Sequence, residues 1–202
     1  MSRMFFKIMP TDIPMPRSAA AAFLVSVCCL GFSPAAMAAD AVVAPVKAVM
    51  DATAANWSGT DSDWQDIFDE NTLNELYSKD FIAKYQAAAK FPAVDDDGIS
   101  PFDFDVIVGG QDACPLEDVT ITPQPATGPV TEVVARFKKS TCMGAGAEFQ
   151  AYTSVRFEVV QADGKPVIDD ILTVDEDGKT NSLKDTMESI VKEQPAQSQQ
   201  PR

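Results

Sequence analysis

Carboxylates are the groups with which this chain could do chemistry, and they come in three sets. Asp95, Asp96 and Asp97 run into Gly98, Asp103 and Asp105 alternate with Phe102 and Phe104, and Asp169 stands beside Asp170 late in the chain. Oxygen-rich sets of this kind suit a hard cation such as calcium. They also suit acid–base work, provided a carboxyl is held in an apolar pocket that raises its pKa. An EF-hand does not fit the ligand positions. With Gly98 sixth in the loop, Asp95 and Asp97 fall third and fifth, but Ala93 and Phe104 stand first and twelfth, where ligand oxygens are needed. With Gly178 sixth, Thr173 is first and Lys184 twelfth, so the second acidic glycine turn fails in the same way. No metal and no cofactor are expected.

Acid–base chemistry would draw on Asp103, Asp105, Asp169 or Asp170, with Tyr77, Tyr85 or Tyr152 as proton donor. Neighbours in a strand point to opposite faces, so Asp169 and Asp170 are not expected to form a dyad. Arg136 and Arg156, expected on adjacent strands, would pair with such acids as structural ion pairs. The chain has no histidine. That removes Ser-His-Asp and Cys-His nucleophilic catalysis, imidazole proton shuttling and the usual zinc, copper and iron sites. No catalytic residue is therefore assigned. Asp95, Asp96, Asp97, Asp103, Asp105, Asp169, Asp170, Arg136, Arg156 and Tyr152 are read as candidate ligand-contacting or rim residues.

The segment ahead of these groups reads as an export signal. Arg3, Lys7 and Arg17 precede an uncharged apolar run, Ser18 to Phe32, and Ala36-Met37-Ala38 offers a small-x-small cleavage site. A start at Met15 would make a tighter signal than one at Met1. The apolar run is too short for a membrane span. Cleavage after Ala38 leaves residues 39–202 and takes away three of the 16 basic and one of the 30 acidic residues, so the remainder stands at 13 against 29. Such an acidic domain is disfavoured for nucleic acid, whose phosphates need a cationic face. It is suited instead to solubility or to steering a basic protein. Cys114 and Cys142 survive cleavage, and an even count in an exported chain predicts a disulfide. Closing that loop would stabilise the fold by about 3–4 kcal/mol on the chain-entropy model.

The elements that must position these groups follow from periodicity. Val46, Val49, Met50, Thr53 and Trp57 recur at helical spacing over residues 41–57, and Gly59 ends the helix. Ser62-x-x-Gln65 and Thr72-x-x-Glu75 resemble capping boxes, the first opening a short turn with Trp64, Ile67 and Phe68. A further helix over about 80–90 buries Phe81, Ile82 and Tyr85. The period then becomes two. Phe102, Phe104 and Val106 predict a short strand with both aromatics inward and Asp103 and Asp105 outward. Strands follow around Val119–Thr122, Val133–Lys138, Ala151–Val159 and Pro166–Val174, with a hairpin turn at Asp163-Gly164 and another turn at Asp177-Gly178. Ser182-x-x-Asp185 caps a last helix, and 194–202 reads as a disordered tail. Helices segregated from an antiparallel meander predict one α+β domain over 39–193, with N-terminal helices packed on a curved sheet.

Asp97, Pro101-Phe102, Gln111-Asp112, Gly164, Ile168, Asp170, Ile171 and Ser182-Leu183 carry a resemblance to the nuclear transport factor 2-like, cystatin-like superfamily. More narrowly the chain resembles domain-of-unknown-function family 3828 of secreted bacterial proteins, over roughly Val46 to Lys192. In that pattern the Pro-Phe and Gln-Asp elements lie closer together, and a tryptophan often stands near Pro166-Val167. The resemblance implies a cone-like sheet wrapped on a long helix, often with a pocket at the open end, and no family-wide activity. The expectation is a periplasmic or secreted, non-catalytic binding or accessory protein. Its partner would be an unidentified small molecule, a basic protein or a second copy of the chain. The alternatives are a small acid–base enzyme of isomerase or hydratase type, or an acidic inhibitor of a basic cell-envelope enzyme.

Overall fold

Among the described residues, four α-helices pack their apolar faces on a five-stranded sheet. A computed structural model describes residues 34–60, 63–93, 100–175 and 177–197, with side chains from 39 to 193. The signal segment up to Ser33 and the Asp95–Asp97 turn lie outside the described residues. The described residues belong to one compact unit. None of their helices is long and apolar enough to cross a membrane.

Helix α1 (Pro34–Asn56) begins before the predicted start, so the expected cleavage site at Ala38 falls within it. Its buried stripe is Val46, Val49, Met50 and Thr53, whose hydroxyl returns a hydrogen bond to the Val49 carbonyl at 2.9 Å. Gly59, at φ +73°, turns the chain away. Helix α2 (Glu70–Leu76) starts ahead of Thr72, the residue expected to cap it. The cap is Asp69, whose carboxylate accepts the Asn71 and Thr72 amides at 2.9 and 3.2 Å. Ser62 lies outside the described residues, and Trp64 to Asp66 are not helical. Helix α3 (Lys79–Ala88) is capped by Ser78 and buries Phe81 and Tyr85.

The sheet is an antiparallel meander in chain order: β1 (Glu117–Pro123), β2 (Val130–Lys138), β3 (Thr153–Ala162), β4 (Lys165–Val174) and β5 (Thr180–Ser182). Val133, Ala135 and Phe137 of β2 and Val155, Phe157 and Val159 of β3 all face the helices and are fully buried. Both Asp163 (φ +52°) and Gly164 (φ +82°) adopt the left-handed conformation that a two-residue hairpin demands. Helix α4 (Leu183–Gln197) buries Leu183 and Met187 and extends into the stretch expected to be a tail. The Cys114–Cys142 disulfide is formed, with Cα atoms 5.7 Å apart.

Two local expectations are overturned. Residues 102–106 form no strand; they belong to a tight loop closed by a single bridge between Asp105 and Gly110. Phe102 is buried, but Phe104 is 41% exposed rather than inward. Strand β4 carries a bulge: Glu158 pairs with Asp170 and Val159 with Ile168, leaving Asp169 as the extra residue. A bulge breaks the two-residue alternation, so Ile168 and Ile171, three residues apart, both fall on the core face opposite Val159 and Phe157 and are buried.

Candidate functional site

At the C-terminal end of α1 the chain builds a cleft of about 590 Å³. One wall comes from Trp57 and from the extended Trp64–Phe68 segment. Asn56 holds that segment in place, donating to the Gln65 carbonyl at 2.9 Å and accepting the Gln65 amide at 2.7 Å. The two indoles then meet edge to face, 6.2 Å apart at 78°. Trp64 is 62% exposed. The other wall is the Ser100–Gln111 loop, ordered by Asp105. One oxygen of Asp105 accepts the Ile107 and Val108 amides at 2.8 and 3.1 Å, and the other accepts the Trp57 indole N–H at 2.8 Å. The loop is also braced by Gln111, which donates to the Asp103 carbonyl at 2.8 Å. Lys139 donates to the Val108 carbonyl. Burial draws the Lys139 ammonium below its ordinary pKa, against the opposing charge of Asp105.

The floor is aromatic. Phe102 packs 6.0 Å from Phe68 and 6.1 Å from Phe104, and Phe68 lies 4.9 Å from Tyr85. Behind them Tyr77 stacks on Phe81 at 4.6 Å, and its hydroxyl is buried with no hydrogen-bond partner among the described residues. Burial, then the charge of Asp66, pushes Tyr85 up to about 12 and Tyr77 well above the ordinary range. Asp66, Asp103 and Asp105 are the charged residues among the described lining; it contains no Lys or Arg.

Of the residues singled out from sequence, Asp103 and Asp105 reach this cleft. Asp103 lies on the rim, and its carboxylate has no hydrogen-bond partner among the described residues. Asp105 is a structural hub. The other carboxylates lie elsewhere. Asp169, displaced by the bulge, accepts from Ser78 Oγ at 2.6 Å and from Lys184 Nζ at 2.9 Å, and Lys184 also reaches Asp80 at 2.8 Å. Burial alone would raise the Asp169 pKa, but the Lys184 and Ser78 bonds outweigh it and hold it low. Asp170, 5% exposed, is not a rim residue. It accepts the Ile171 and Lys184 amides at 2.8 and 3.1 Å together with the Ser182 hydroxyl, while Ser182 Oγ caps α4 through the Asp185 amide at 3.1 Å. Glu158, opposite Asp170, is pushed up by burial and then by the charges of Asp170 and Asp169.

Arg136 and Arg156 do lie on adjacent strands, but neither pairs with these acids. Arg136 sits over the Tyr152 ring, 3.3 Å from its centroid, and Tyr152 donates to Asp118 at 3.0 Å on the exposed surface. Arg156 reaches Glu132 at 3.5 Å and the Thr180 hydroxyl at 2.9 Å. Among the described residues no three Cys, Asp or Glu side chains are grouped to hold a metal ion. Trp57, Trp64 and the Asn56–Gln65 clamp were not anticipated as site residues. Their signal was an indole at Trp64 flanked by Asp63, Gln65 and Asp66, an aromatic side chain in a polar stretch. Neither family models, curated proteins nor solved structures give a match to this chain.

Proposed function

We propose that this chain is an exported, non-catalytic binding protein whose ligand enters the Trp57/Trp64/Phe104 cleft. What carries this reading is the exposure of large aromatic groups around a preformed concavity, with Trp64 at 62% and Phe104 at 41%. Such surface costs solvation unless something covers it. The distribution of hydrogen bonds supports the non-catalytic part. Asp105, Asp169 and Asp170 are engaged in holding loops and helix ends, and Asp103, the candidate left open, is exposed rather than held in a dry pocket against a tyrosine hydroxyl. A proton-transfer carboxyl would instead need its reach toward a substrate free. The Tyr152–Asp118 hydrogen bond lies on an exposed face rather than in a dry pocket. Helices followed by a meander support kinship with the nuclear transport factor 2-like superfamily and, through the loop and late-hairpin residues, with family 3828.

Equilibrium dialysis of the mature protein against the low-molecular-weight fraction of an envelope extract tests the reading. A compound enriched by the protein and lost with Trp64→Ala is expected. No enriched compound, together with a melting temperature the extract leaves unchanged, counts against it, because a ligand of the native state must raise that temperature.

A further inference from the structure

We infer that the cleft binds a free alkylated ammonium ion, choline-like in having a quaternary nitrogen and no anionic group. This rests on the reading of the cleft as a ligand site and adds the ligand's chemistry. The two indoles, 78° apart in plane, form an aromatic corner, and Phe104 adds an exposed ring on the other wall. Rings set at angles around a small volume stabilise a cation through their negative faces, and quaternary ammonium ions are the ligands such cages suit. The charge agrees: Asp66, Asp103 and Asp105 line the cleft with no basic residue among the described lining.

The state of those carboxylates selects among cations. Both oxygens of Asp105 are engaged by Trp57, Ile107 and Val108, and Asp66 accepts the Phe68 amide at 2.8 Å. A primary ammonium brings three N–H donors that must exchange water for new acceptors; among the carboxylates of the described lining only Asp103 is wholly open, and one carboxylate cannot take all three. A quaternary ammonium has no donor to satisfy and needs only polarisable faces and a negative field. The same field excludes zwitterions: a phosphate or carboxylate beside the nitrogen would meet three carboxylates and no basic residue among the described lining. The occupant is therefore a free cation rather than a phosphocholine headgroup.

Calorimetric titration of the mature protein decides this, using choline, its neutral isostere 3,3-dimethylbutan-1-ol, ethanolamine and phosphocholine. Choline is expected to bind at least roughly tenfold more tightly than each of the other three. Trp64→Ala and Phe104→Ala should each weaken choline by roughly tenfold or more, and Asp103→Asn by about threefold. Both aromatics are exposed, so melting curves of these variants should match the parent. Equal affinity for the neutral isostere overturns the cation assignment and leaves the cleft reading standing. Ethanolamine or phosphocholine binding as well as choline overturns the selection argued from the carboxylates. Choline binding untouched by Trp64→Ala overturns the placement. No binding of any probe overturns the inference, and if the dialysis also enriches nothing, the binding reading falls with it.

Discussion

The β4–α4 seam and the α1 cleft are both rich in carboxylates, yet they use them in opposite ways. In the seam, Asp169 and Asp170 are surrounded by donors from the Ser78, Ser182 and Lys184 side chains and the Ile171 and Lys184 amides. In the cleft, Asp103 stands without a hydrogen-bond partner among the described residues beside exposed rings. An acid whose acceptor sites are filled by its own protein is a fastener. An acid left open next to uncovered apolar surface is available to something outside. Residue type does not separate the two; the donors around it do.

The comparison can be broken from its largest effect downward. The disulfide anchors the end of the cleft loop, where the Cys114 amide also bonds the Lys139 carbonyl at 2.8 Å. The double variant Cys114→Ala, Cys142→Ser should lose about 3–4 kcal/mol in urea unfolding. A loss below about 1 kcal/mol would mean the loop is held by its other bonds alone. Asp170→Ala should lose about 3 kcal/mol, since it strands buried donors at the start of α4; an unchanged midpoint would sink the seam's role as fastener. Trp57→Phe keeps an aromatic ring, though a smaller one, and removes the N–H donor to Asp105, for a loss of about 1 kcal/mol. Trp64→Ala, in contrast, should stay within about 0.5 kcal/mol of the parent, as befits an exposed residue.

Acidity sharpens the contrast inside the seam. Glu158 has a pKa above its ordinary value of 4.5 in the folded chain, so its ionisation disfavours folding at neutral pH. Glu158→Gln should therefore raise the unfolding midpoint at pH 7, and the advantage should close as pH falls through the raised pKa toward 4.5. Asp169 has the opposite sign. Its pKa is held below 3.8, so it contributes stability above that value and loses it as pH falls through the depressed one. Asp169→Asn should cost stability at pH 7, with the deficit shrinking only in strong acid. A variant pair with parallel pH profiles would show that these two acids do not differ as described.

Much of the scaffold was legible because it rests on period and on turn chemistry. Alternation in β2 and β3, the Asp163-Gly164 turn, the Ser182 cap and the cysteine pair all have local causes that act alike in any context. The misses are places where a side chain competes with the backbone ladder. Phe102-Asp103-Phe104-Asp105 alternates like a strand, but Asp105 takes the Ile107 and Val108 amides for its own carboxylate and curls the chain. Asp69 captures the α2 cap ahead of Thr72 because one carboxylate satisfies two amides there. The bulge at Asp169 depends on pairing between strands, which no single stretch of sequence encodes. The cleft escaped for a related reason: Trp57 and Trp64 belong to different segments, and only the Asn56–Gln65 clamp makes them neighbours.

The chain's two tryptophans both lie on the cleft. The protein's intrinsic emission is therefore a local signal rather than an average over the fold. Trp64, largely in water, should contribute a red-edge component accessible to iodide or acrylamide, while Trp57, hydrogen-bonded to Asp105, should be shielded and bluer. An occupant of the cleft would shift the exposed Trp64 component most, so the unlabelled native protein carries its own optical gauge of occupancy.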